Sequence, residues 1–147
     1  MPLCLKKRIL ALDVGERRIG VALSDQSGAL AQPLCVLAHK NRDQVVKDVG
    51  ELARAHEVGL IVLGLPEKSE EKPGPAALAI KRLGERLSRA LNLPVAYVDE
   101  FETTKEAEQA LLTADIGRRK RRRVVDKLAA ALILQRYLKE QAGGGAT

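Results

Sequence analysis

The sequence predicts an α/β domain: a mixed five-stranded sheet with helices on both faces. Three observations lead there. Residues 9–12 and 58–63 are unbroken apolar runs, the mark of strands covered on both sides. Stretches of helical periodicity alternate with strand-like runs after His39. Three strand-like segments in succession come before the first helix, so antiparallel pairs at the start join parallel ones later.

The run Ile9-Leu10-Ala11-Leu12 meets an acid, Asp13, and Gly15 follows. A second run, Ile19-Gly20-Val21-Ala22-Leu23, ends in Ser24-Asp25. This reads as a buried strand, a tight turn and an antiparallel return strand. Residues 29–37 form a third strand with Pro33 as its point of interruption. After a polar patch at 39–42, Val45, Val49, Leu52, Ala53 and His56 share one helical face. Residues 58–63 are again a strand, ended by Gly64-Leu65-Pro66. The polar, proline-containing segment 67–75 reads as a loop. A helix follows with Ile80, Leu83, Leu87 and Leu91 inward, then a strand at 95–98 that ends in Asp99-Glu100. Thr103 with Glu106 is a capping box opening a further helix through Ala107, Ala110 and Leu111. The last helix is expected at about 124–140. The organisation expected is one domain over 1–140, with residues 141–147 a disordered tail.

Charge narrows the partner. The chain of 147 residues carries 25 Lys and Arg against 19 Asp and Glu, a net charge of +6. Arg118, Arg119, Lys120, Arg121, Arg122 and Arg123 stand in one block, and outside it the basic and acidic residues balance. A localised block of this kind points to a polyanion. With two Tyr, one Phe and no Trp there is no aromatic platform for stacking bases, so a nucleic acid would be held by phosphates and shape. No apolar run approaches the ~20 residues of a membrane span, and the N-terminus lacks a signal-peptide pattern. The expected compartment is the cytoplasm, with Cys4 and Cys35 as reduced thiols.

An acid at the end of an apolar run needs a partner, because an unpaired buried carboxylate costs several kcal/mol or gives up its charge. Asp13 and Glu100 both fall at the carboxyl ends of predicted core strands, where sites form in parallel sheets. Asp126 crowns the apolar stripe Ala129, Ala130, Ile133 and Tyr137 of the last helix. Three converging carboxylates repel unless a cation binds among them. With no His or Cys cluster beside them, oxygen-only ligation favours Mg²⁺ or Mn²⁺ over Zn²⁺. A structural role stays open for each: Asp13 as a turn cap, Glu100 as a surface acid with Asp99 in its place, Asp126 as a complement to the helix dipole. His39 and His56 read as surface or helix-end residues.

These residues also carry a family likeness. The stretch Asp13-Val14-Gly15-Glu16-Arg17-Arg18-Ile19-Gly20-Val21-Ala22-Leu23-Ser24-Asp25 resembles the opening signature of the YqgF/RuvX family. The likeness continues at Val62-Leu63-Gly64-Leu65-Pro66, at Asp99-Glu100 with Thr103-Thr104 and Ala107-Glu108, and at Asp126, Ala129-Ala130 and Ile133-Leu134-Gln135. The resemblance implies an RNase H-like fold and a nuclease of the kind assigned to Holliday-junction resolution and to maturation of the small-subunit rRNA precursor. It places the catalytic acids on Asp13, Glu100 and Asp126. Two positions depart from the family pattern: Phe101 stands where an arginine is usual, and Glu67-Lys68-Ser69-Glu70 replaces a common Asn-Met-Asp-Gly. Arg17, Arg18 or the basic block would then supply the missing phosphate contact.

The expected activity is metal-dependent phosphodiester hydrolysis on structured RNA or branched DNA, with processing of the 5′ end of pre-16S rRNA as the leading case. Resolution of Holliday junctions is the alternative and calls for a homodimer, whereas an RNA-processing nuclease can be a monomer. Two other readings compete. A nucleotide-binding domain of the actin-like or sugar-kinase type would need a second lobe that 147 residues do not provide. A non-catalytic rRNA-binding assembly factor would bind RNA in a salt-sensitive way without cleaving it.

Overall fold

The computed structural model describes residues 7–28, 30–65, 74–99 and 118–145. Its elements are β1 (Arg8–Val14), β2 (Arg18–Ser24), β3 (Ala31–Ala38), α1 (Arg42–Ala55), β4 (Val58–Leu65), α2 (Pro75–Leu91), β5 (Val95–Asp99) and α3 (Arg118–Gly145). The sheet has the order β3-β2-β1-β4-β5. β2 runs antiparallel to β1 and β3, and β4 and β5 run parallel to β1. The mixed sheet is therefore as expected, with the first apolar run at its centre.

Strand alternation divides the core in two. Leu10, Leu12, Ile19, Val21, Leu23, Ile61 and Leu63 pack with Val45 and Val49 of α1 and Ile80, Leu83 and Leu87 of α2. Ala11, Ala22, Val62 and Val98 lie on the other face, under Ala130, Ala131, Ile133 and Leu134 of α3. The alanines on both sides of that second interface let α3 lie close to the sheet. The helices start and stop where local chemistry dictates. The Asn41 side chain accepts from the Gln44 backbone N–H at 2.9 Å and caps α1. Pro75 opens α2, and Asn92 ends it in the left-handed region at φ 57°.

Pro33 does not break β3. Val21 pairs with Cys35 and Ala22 with Pro33, so Leu34 is the extra residue of a β-bulge. The strand tolerates proline because it lies at the sheet edge.

The last helix exceeds the expected 124–140 at both ends. Residues 118–123 belong to it because Arg and Lys are good helix formers, and a run of like charges signals composition rather than a chain break. Residues 141–145 are helical as well, where a disordered tail was expected: glycines lower helix propensity without the absolute block that proline imposes. The expected helix after Thr103 lies outside the described residues.

Candidate nucleic-acid interface and acidic edge

Asp13 sits at the carboxyl end of β1, half-buried, and pairs across the ladder with Gly20. By alternation it shares the α3 face with Ala11. The turn beyond it is tight. Gly15 N–H donates to the Arg18 carbonyl at 2.9 Å. A Cβ on Gly15 would stand 2.8 Å from that same oxygen. His39 pins the turn from outside. Its backbone N–H donates to the Arg17 carbonyl at 2.9 Å, and its Nδ1 lies 2.6 Å from the Gly15 carbonyl oxygen. A carbonyl only accepts, so Nδ1 carries the proton. The sequence pattern did not reveal this role for His39, because the partner is 24 residues away. Gly15→Ala is expected to cost about 1–3 kcal/mol, since backbone must move to admit the methyl group. Urea unfolding read by far-UV circular dichroism measures it.

The parallel strands bring three carboxyl ends to one edge. Leu12 pairs with Leu63, and Leu65 pairs with Asp99, the last residue of β5. Glu100 follows next in the chain and lies outside the described residues. Asp126 belongs to α3, three and four residues before Ala129 and Ala130, both fully buried. Its backbone is described and its side chain is not. Among the described residues no group of three or more His, Cys, Asp or Glu could hold a metal ion. Of the three predicted acids, the structure thus places Asp13 fully, Asp126 by its backbone, and Glu100 only through its neighbour Asp99.

α3 reaches this edge with its N-terminal part. Lys127 lines a cleft of about 450 Å³ together with Arg17, Arg18, Val36, Leu37 and Ala38. Arg17 is exposed and Arg18 half-buried. The block 118–123 lies one turn and more beyond Lys127 on the same helix, so it extends past the cleft at the same end of the sheet. Its side chains are outside the description. Cys35 lies close by. Burial pushes its thiol up from the ordinary value, and the Lys127 charge pulls it partly back. Cys35 is a free thiol, and its raised pKa keeps it protonated at neutral pH. No described helix is long and apolar enough to cross a membrane.

This sheet order, with β2 antiparallel to both neighbours, helices on both faces and an acid near the carboxyl end of the central strand, defines an RNase H-like domain of the RuvC type. Solved structures agree on the fold. Thermus thermophilus RuvC in complex with Holliday-junction substrate superposes with a TM-score of 0.55 at 13% identity, covering 94% of this chain and 97% of that one. The fowlpox virus resolvase with junction DNA gives 0.52 at 10% identity, covering 90% and 97%. The chain belongs to the RuvX family, described as Holliday junction resolvase, whose profile matches residues 7–140. A "Putative pre-16S rRNA nuclease" of Pelotomaculum thermopropionicum is 47% identical over 135 residues, 91% of this chain and 88% of its own length. The protein of the same name from Levilactobacillus brevis is 47% identical over 134 residues, 89% of this chain and 92% of its own length.

Proposed function

We propose that this chain is a metal-dependent nuclease of the cytoplasm that processes the 5′ end of pre-16S rRNA during ribosome biogenesis. The observation that carries the reading is Asp13: an acid at the carboxyl end of the central strand, on the face covered by α3. Family membership and the shared name of the relatives support the substrate.

The donor chemistry fits a hard divalent cation. Asp13, Glu100 and Asp126 offer only oxygen, which suits Mg²⁺ or Mn²⁺. When bound, such ions activate a water and neutralise charge on the phosphate and leaving oxygen of a phosphodiester. Asp13 presents its carboxylate from a rigid strand, so little reorganisation is needed. Gly20, directly opposite, is buried, so α3 covers that part of the sheet and substrate reaches Asp13 from the carboxyl ends of the strands. Arg17 and Arg18, held in place by the Gly15 turn and its His39 strap, bind backbone phosphate beside the cut. The basic block adds affinity that does not depend on sequence. Residues 1–140 act as one nuclease domain, monomeric on rRNA.

Junction resolution is the second reading, favoured by the family's description, and would require a homodimer. Mn²⁺-dependent cleavage of a 5′-labelled pre-16S fragment and of a four-way DNA junction separates the two. We expect the RNA to be cut and the junction to be bound without paired incisions. Symmetric junction incision without RNA cleavage would establish the resolvase. RNA binding at low salt with no cleavage of either would leave a non-catalytic assembly factor.

A further inference from the structure

The cleft between β3 and α3 contains a cation that the proposed reaction does not use. Lys127 comes from the helix, Arg17 from the β1–β2 turn, Arg18 from the start of β2, and Val36 to Ala38 form the strand wall. Lys127 is half-buried, so its stem lies against the wall while the ammonium stays wet.

The sheet register links this cleft to the acidic edge. Asp13 pairs with Gly20, and Gly20 pairs with Val36. Residues directly opposite in antiparallel ladders share a face, so the three form one row across β1, β2 and β3 on the α3 side. Two strand spacings, roughly 9–10 Å, separate its ends. Gly20 is buried in the middle of the row, where α3 covers the sheet, and the cleft lies beyond that covered stretch. The acid therefore stands at one end of the row and three cations at the other.

We infer that this cleft is a subsite for a non-scissile backbone phosphate of a polynucleotide, with Lys127 as its central cation and Arg17 and Arg18 at its mouth. The inference rests on the nuclease reading and deepens it: a strand held at Asp13 continues past the β1–β2 turn to the cleft at the β3 edge. Neither RNA nor DNA is selected here, because the contact is to phosphate.

The test is binding of a fluorescein-labelled pre-16S 5′ fragment by anisotropy in EDTA, so that no divalent ion enters. Lys127→Gln is expected to bind about three- to tenfold more weakly near 100 mM salt, with a salt slope shallower by about 0.7, the value for one lost single-strand phosphate contact. Lys127→Arg is expected to restore both. Val36→Glu, which adds a like charge to the opposite wall, is expected to weaken binding independently. Lys139→Gln, exposed near the other end of α3, is the control for general charge loss. Wild-type affinity and slope in Lys127→Gln would overturn the subsite while the nuclease reading stands. So would a loss in Lys127→Arg equal to that in Lys127→Gln, since charge would then not be what matters. Failure of the wild-type chain to bind the RNA would instead overturn the nuclease reading, and the subsite with it.

Discussion

Asp13→Asn should fold normally and lose metal-dependent cleavage by about 10³-fold or more, equivalent to about 4 kcal/mol of barrier. The substitution is nearly isosteric and leaves β1 in register with Gly20 and Leu63's neighbours on β4. What changes is the charge at the carboxyl end of the central strand. A second readout separates loss of a metal ligand from general damage. If Asp13, Glu100 and Asp126 share a cation, the wild-type chain gains stability with Mn²⁺ as RT ln(1 + [Mn²⁺]/Kd), about 2.7 kcal/mol at a hundredfold excess over Kd. Asp13→Asn should lose most of that gain. Asp126→Asn should behave the same way, which would join the helix position to the strand position through one ion. Cleavage retained in either variant would remove that residue from the site.

The parts of this reading that the sequence made legible are those with strong local signatures. The apolar runs at 9–12 and 58–63 could only be strands covered on both faces, and they form the two central strands, β1 and β4. The alternation that puts Leu10 and Leu12 on one side and Ala11 on the other is a property of any strand. Asp13 stood out because an acid interrupts an apolar run. Other features were not legible because they depend on tertiary partners. The role of His39 arises from a contact with Gly15 across two strands. Lys127 carries no signal of its own in the sequence, and its place in the cleft depends on α3 packing against β3. Pro33 signalled a break, but an edge position and a one-residue bulge absorb it. The helical state of residues 118–123 was not legible because like charges in series resemble a solvated loop, and local composition does not distinguish that from a basic helix.

That difference at residues 118–123 has measurable consequences. Six consecutive residues of an α-helix are distributed around its axis at about 100° intervals, so about three can face one polyanion. Replacing all six with Gln, whose helix propensity is close to that of Lys and Arg, keeps the helix and removes the charge. The salt slope for RNA binding should then become shallower by about 2, three contacts at 0.7 each, with affinity lower on the order of 10²-fold at physiological salt. A flexible basic loop could turn all six cations to phosphate and would lose about 4 in slope. Cleavage should show the loss in KM with kcat nearly unchanged, because the contacts bind ground state and transition state alike. Stability should move the other way. The described helix opens at Arg118 with no acidic residue in its first turn, so cations stand at the positive end of the helix dipole. Each such charge near the terminus costs about 0.3–1 kcal/mol, and neutralising the block should raise unfolding stability by about 1–2 kcal/mol. A variant that is more stable and binds RNA worse would show that the block opposes the fold it belongs to and is kept for its partner. Equal stability with unchanged binding would make it a solvated face and move the polyanion contact onto Arg17, Arg18 and Lys127 alone.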